Sequence, residues 1–330
     1  IFCRYKTLKG FQVNRKAGWD THGLPVELGV EKELNITKED IGSTISVKDY
    51  NNACRKNVMK YKQKWESITR EMGYWVDLKN PYVTYDNKYI ESVWWLLGQM
   101  HKKGLLYKGH AIQPFSPKAG TGLSTHELNQ PGCYRNVKDT SIIAQFKIIN
   151  NPSSKFIFEK TKQDAYFLAW TTTPWTLPSN TALAVAKNIT YLLIETINQY
   201  TGELISIIIA KDLAGKYFPS ANSELKFAEY EVGNKQLPFK IISEFNGQKL
   251  ENIQYEQLFK YEQPKNGDAF RVLLGDFVTM EDGTGIVHLA PSFGADDSRV
   301  AKQNGIGSLT LVNKQGKFID VVEDFAGMYV

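Results

Sequence analysis

Cysteine and histidine are scarce in this 330-residue chain, three and five respectively. Cys3, Cys54 and Cys133 are odd in number and far apart, which excludes a disulfide framework and a cysteine knuckle around a metal. Reduced thiols are expected. Long apolar runs are missing too: nothing approaches the roughly 20 residues that cross a bilayer, and no secretory leader pattern is present. A cytoplasmic protein with no membrane partner is the expectation. Internal repeats, low-complexity tracts and an initiating methionine are also lacking. The chain begins at Ile1 in a strand-like stretch and reads as a piece of something longer.

What is there is ordinary globular material. Apolar residues make up 42% and charged residues 23%, enough for a sizeable core and about two domains. Net charge is +5 but uneven. Residues 1–120 carry 20 Lys+Arg against 12 Asp+Glu, and residues 121–330 carry 20 against 23, giving +8 and −3. The first part therefore suits a polyanionic partner, although solubilising surface lysines give the same balance.

The first part has α/β texture. Cys54, Val58, Tyr61, Trp65, Ile68 and Met72 recur every three or four residues, which predicts one helix over about 47–72 with that stripe in the core. Ser46 with Asp49 resembles a capping box, and Gly73 stands where the helix should stop. A second helix is predicted over about 87–103, with Ile90, Val93, Trp94, Leu97 and Met100 inward and Gly104 at its end. From about Val137 short apolar runs alternate with turn residues: SIIAQFKI, DAYFLAW, TALAVA, YLLIET, ELISIIIA, FKIISEF, FRVLLGDFV, TGIVHLA and SLTLVN. So many strands with little helix between them predict a β-barrel or barrel-like domain.

Three segments carry candidate chemistry. In AGWDTHGLPVE, residues 17–27, Gly18 and Gly23 allow close backbone approach, Pro25 suits a first helical turn, and Asp20 and His22 project from a strand-to-helix connection, where α/β sheets bind ligands. A plain turn with Asp20 as a local cap fits equally. WTTTPWTLPSN, residues 170–180, closes a strand with Thr171, Thr172 and Thr173, and Pro174 ends ladder pairing. On a continued strand Thr172 would face opposite Thr171 and Thr173; a solvated strand end would look the same. In EDGTGIVHLAPSFGADD, residues 281–297, Gly283 and Gly285 bracket Thr284 in a tight turn. Thr284, Ile286 and His288 then share a strand face, and Asp296 and Asp297 open a helix ending near Asn304. A hydrogen-bonded core histidine and dipole-complementing carboxylates are the alternatives.

Taken in order and spacing, these three segments closely resemble the isoleucyl-tRNA synthetases, class I aminoacyl-tRNA synthetases, over essentially the whole chain. Valyl and leucyl relatives typically continue the threonines with Arg-Pro, where Pro174 and Trp175 stand here, and valyl enzymes commonly carry lysine at the position of His288. The resemblance implies an α/β plus β-rich fold: a partial Rossmann-type catalytic domain with a helical connecting region in residues 1–136, then a barrel-like editing domain in 137–330. It also implies tRNA(Ile) as partner, isoleucine and ATP with magnesium at the synthetic site of the parent enzyme, and a monomer. The ATP motifs HIGH and KMSKS do not occur in these residues. No amino-acid activation is therefore expected of this chain alone. Many family members carry a Cys-Pro-x-Cys zinc knuckle, and Ser116-Pro117-Lys118-Ala119 stands in its place. No metal is expected, since a tetrahedral zinc site there needs thiolates.

For the editing site, the resemblance implies hydrolysis of the valine ester on the tRNA 3′ adenosine without a cofactor. Thr171, Thr172 and Thr173 would hold the adenosine and a water, with Trp170, Gly283, Thr284 and Gly285 also lining the substrate and Asp20 assigned to substrate binding. Trp175 and His288 would shape the side-chain compartment, Asp297 would bind the ammonium, and Asn180 would support the threonine strand. A non-catalytic module gripping the tRNA 3′ end, or a valyl-tRNA synthetase editing region, are the competing readings.

Overall fold

A computed structural model describes residues 1–330. The chain divides into two compact units: Ile1–His110 with Lys118–Gly120, and Ala111–Pro117 with Thr121–Val330. No helix is long and apolar enough to cross a membrane.

The first unit begins with α1 (Phe2–Leu8) and β1 (Lys16–Trp19), which leads through Gly23 into α2 (Leu24–Leu34). Gly23 sits at φ 116°, a backbone state that side chains resist, and Pro25 lies in the first turn as expected. Next come α3 (Val47–Val58) and α4 (Lys62–Glu71), then β2 (Asp77–Val83), which pairs parallel with β1, and α5 (Asn87–Lys102). Ser46 caps α3 by accepting the Asp49 amide at 3.1 Å, and Gly73 follows α4 at φ 62°.

Three expectations need correction here, the first being the strand-like opening, which is helical as α1. The single helix over 47–72 is two, because the backbone tightens at the junction: Lys60 and Lys62 donate to the carbonyls three residues back, Asn57 and Met59. The unbroken apolar stripe hides that interruption. Nor is the stripe core, since Tyr61, Trp65, Ile68 and Met72 are all exposed, as are Trp94, Leu97 and Met100 of α5. Periodicity marks a face suited to burial; it does not supply the surface that buries it.

The second unit opens with a small hairpin, β3 (Phe115–Ser116) with β4 (Thr121–Gly122), and the short helix α6 (Thr125–Leu128). Its body is two sheets. The larger contains β5 (Ile142–Lys147), β6 (Ala165–Thr171), β8 (Thr190–Ile197), β9 (Leu204–Ala210) and β10 (Phe239–Asn246), with α7 (Lys155–Phe158) between β5 and β6, and α8 (Lys211–Ala214) after β9. Their spatial order is β10-β8-β9-β6-β5, all antiparallel neighbours except the parallel pair β6 and β9. The smaller sheet places β7 (Ala182–Val185) between β11 (Arg271–Leu274) and β12 (Ile286–Leu289). The large sheet ends at β10 and β5 without closing on itself, so two open sheets stand where a barrel was expected. Each predicted run forms its strand except SLTLVN, which makes only an isolated bridge at Val312.

Side-chain alternation explains the layering. Phe146, Phe167, Leu193 and Ile208 from the large sheet meet Leu183, Val185 and Ile286 from the small one in the main core. Opposite faces are covered as well: Leu192, Ile194, Ile207 and Ile209 pack with Ala214, Phe218 and Phe239, while Ala182, Ala184 and Leu289 pack on Val300 and Ala301 of α9 (Ala295–Gln303). Burial on both faces makes β9 read as the continuous run ISIIIA. At about 1.5–3 kcal/mol for each large apolar side chain removed from water, this sandwich rigidly supports its strand ends.

Candidate functional site

The 170–180 segment and the 281–297 segment, more than a hundred residues apart, are joined at four places. At the end of β6, the Trp170 ring lies so close to Gly283 that a Cβ there would stand 2.9 Å from it. Thr176 Oγ1 lies 2.9 Å from His288 Nε2. Trp175 meets Phe293 edge to face, ring centroids 4.9 Å apart. Asn180 Nδ2 donates to Ala182 O at 2.8 Å and reaches Leu289 O at 3.5 Å, while its Oδ1 accepts from Tyr255 Oη at 2.7 Å. Those links fix the threonine segment against β12 and the loops on either side of it.

Strand β6 ends at Thr171, whose buried hydroxyl accepts the Thr173 amide at 3.1 Å and lies 3.4 Å from the Thr173 hydroxyl. This turns the chain out of the sheet. Thr172 and Thr173 are therefore exposed beyond the strand rather than alternating along it. A 3₁₀ helix follows over Pro174–Ser179. Its three-residue period brings Thr176 Oγ1 to the Thr173 carbonyl, to which it donates at 2.8 Å.

His288 pairs in register with Leu183 and is buried. With no charge nearby to compensate, burial pulls its pKa down to about 4, so the ring is neutral near pH 7. Nδ1 has no hydrogen-bond partner. Asp297, in the first turn of α9, is partly buried, and desolvation raises its pKa although the Ala290 amide donates to Oδ2 at 2.8 Å. Gly294 packs directly on that carboxyl: a Cβ there would come within 2.6 Å of it. A desolvated carboxylate in this position favours a cationic group beside it.

Gly283 and Gly285 lie at φ 76° and 72°, flanking buried Thr284. With Trp170, Phe277 and Thr279 they line a pocket of about 190 Å³. The geometry thus gathers Trp170, Thr171, Trp175, Asn180, Gly283, Thr284, Gly285, His288 and Asp297 into one region of the second unit. Asp20 belongs to the first unit, where it is exposed in the connection between β1 and α2. Thr176 was missed by sequence reasoning. Its spacing of three from Thr173 within a proline-flanked segment was the available signal.

Residues 1–281 match the family model described as tRNA synthetases class I (I, L, M and V). An isoleucine–tRNA ligase of Bacteroides fragilis is 61% identical over 98% of this chain, which covers 28% of that protein. The Cytophaga hutchinsonii ligase is 58% identical over 100% of the chain and 30% of its own length; that of Clostridium acetobutylicum is 46% identical over 100% and 28%. The chain thus spans under a third of the length of these relatives. Among solved structures, GlLeuRS-CP1 is 24% identical with a TM-score of 0.37, covering 50% of this chain and 60% of that one. The P. knowlesi cytosolic leucyl-tRNA synthetase editing domain is 13% identical with a TM-score of 0.36, covering 48% and 60%.

Proposed function

Because the chain belongs to the class I tRNA synthetases of the isoleucine, leucine, methionine and valine group, we propose that it is the part of an isoleucine–tRNA ligase that hydrolyses valyl-tRNA(Ile). In this reading the full protein activates isoleucine with ATP and magnesium and charges tRNA(Ile); the hydrolysis described here uses neither ATP nor magnesium. Valine differs from isoleucine by one methylene, worth only about 1–3 kcal/mol of discrimination in an apolar pocket, an argument for which this enzyme class is the standard worked example. A second site that admits only the smaller ester supplies the missing accuracy.

Water attacks the ester carbonyl, a carbon–oxygen bond to the water forms, the bond to the ribose breaks, and the ribose oxygen leaves with a proton. Exposed Thr172 and Thr173, with Thr171 behind them, receive the terminal adenosine and hold the water near the carbonyl. Asp297 takes the substrate ammonium, which relieves the cost of a desolvated carboxylate. His288, neutral and tied to Thr176, walls the side-chain compartment together with Trp175. Asn180 pegs the end of the 3₁₀ helix to β7 and so holds the threonine segment in place.

The observation that carries this reading is the 2.9 Å contact between Thr176 and His288, which makes one site of two distant motifs. A carboxylate desolvated at the same site disfavours a simple RNA grip, because a polyanion gains nothing from it. The test is release of valine from valyl-tRNA(Ile), compared with isoleucyl-tRNA(Ile). Valine release with isoleucine spared supports the proposal, and equal inertness toward both overturns it.

A further inference from the structure

The loop carrying Gly283, Thr284 and Gly285 is held from one side by groups that take no part in the chemistry above. Lys216 Nζ donates to Glu281 O at 3.0 Å, Tyr217 Oη to Gly283 O at 3.1 Å, the Ala210 amide to Thr284 O at 2.9 Å, and Tyr191 Oη to Gly285 O at 2.8 Å. All four donors come from β8, the end of β9 and the turn around α8. In a trans peptide the N–H points opposite to the carbonyl before it, so the amides of Thr284 and Gly285 are directed away from this block. Tyr191 is wholly buried, and its hydroxyl also accepts the Ala186 amide at 3.0 Å. Both of its bonds fix its orientation. The approach is too close for side chains, since a Cβ on Gly285 would stand 2.4 Å from Ala210 Cβ.

A loop with two positive-φ glycines is costly to order on binding, because glycine loses the most backbone freedom. Anchoring its carbonyls beforehand removes that cost from the binding step. We propose that Tyr191 and Tyr217 are positioning residues for the hydrolysis, holding the Gly283–Gly285 backbone in the conformation that receives the substrate's 3′ end. The proposal rests on the editing reading above. Neither hydroxyl touches substrate, so their contribution falls on binding and not on the attack of water.

The experiment measures KM and kcat for valyl-tRNA(Ile) hydrolysis by the full-length enzyme and its Tyr191→Phe, Tyr217→Phe and double variants. Thr196→Val serves as control: it lies on the same strand β8 and loses a buried hydroxyl bond of 2.9 Å to Pro238 O, away from the loop. Each tyrosine variant is expected to raise KM about fivefold with kcat within about twofold of the parent, and Thr196→Val is expected to leave KM unchanged. Tyr217 is only partly buried, so its variant decides the matter even where Tyr191→Phe fails to fold. Unchanged KM in Tyr217→Phe, or an equal rise in Thr196→Val, would overturn the positioning role while leaving the editing reading intact. A parent enzyme inactive on valyl-tRNA(Ile) would overturn both.

Discussion

Thr176 and His288 share a hydrogen bond that fixes the tautomer of the histidine. The single hydroxyl proton of Thr176 is given to the Thr173 carbonyl at 2.8 Å, so its oxygen accepts at 2.9 Å and His288 donates from Nε2. Nδ1 is then the unprotonated nitrogen, and a ring held in this form is a wall with one fixed orientation.

From this arrangement, His288→Ala is expected to open room for one more methylene. Isoleucyl-tRNA(Ile) becomes a substrate while hydrolysis of valyl-tRNA persists. Deacylation assays on both charged tRNAs, with circular dichroism to check folding, decide it. A variant that still spares isoleucyl-tRNA returns His288 to a purely structural role.

Asp297→Ala fails differently. Loss of a charge-assisted contact of about 1.5–3 kcal/mol lowers valyl-tRNA hydrolysis roughly ten- to a hundredfold, without changing the preference for valine over isoleucine, since both carry the same ammonium. Because burial raises this carboxyl's pKa, the acid limb of the parent's pH–rate profile is displaced upward from that of an exposed aspartate, and Asp297→Asn removes that limb. Parent-like rates in Asp297→Ala would remove the residue from the site.

Stability should also depend on pH through His288. Its folded pKa of about 4 lies below the ordinary 6.5, so the unfolded chain takes up a proton first as pH falls. The stabilisation is complete above pH 6.5 and is lost as pH falls toward 4, by up to about 3 kcal/mol. Denaturant unfolding of the parent and His288→Gln over this window tests it: the variant lacks the histidine component. Identical losses in both proteins would contradict the assignment.

Thr172→Pro is expected to abolish deacylation while the fold persists. Position 172 is exposed and lies just past the last strand residue, so proline costs little structure there but removes both the hydroxyl and the amide. Near-native hydrolysis in a folded variant would exclude Thr172 from substrate contact.

Local signals carried much of this architecture. Ser46 announced the start of α3, Gly73 the end of α4, and alternation or continuous β-branched runs gave strands β5 to β12. Signals requiring a partner were not legible. The stripes of α4 and α5 are real, yet Trp65 and Trp94 remain exposed, because periodicity does not say what covers a face. Leu309 and Leu311 of SLTLVN instead join a small satellite cluster with Phe318 and Val322. Within the site, threonines, histidine and aspartate were visible as residue types. Tyr191 and Tyr217 were not, because each reaches the glycine loop through a hydroxyl bond to a residue tens of positions away, and the spacing of Thr176 from Thr173 gave no sign of its bond to His288.

The tight seating of Trp170 on Gly283 and of Trp175 on Phe293 has an optical consequence. These are the only two tryptophans in the second unit, and Trp170 lines the candidate pocket. The other five belong to the first unit, where Trp65, Trp94 and Trp95 already face water. A small molecule settling in that pocket would displace solvent from the Trp170 indole. Difference emission from the unlabelled protein therefore provides a titration signal for occupancy.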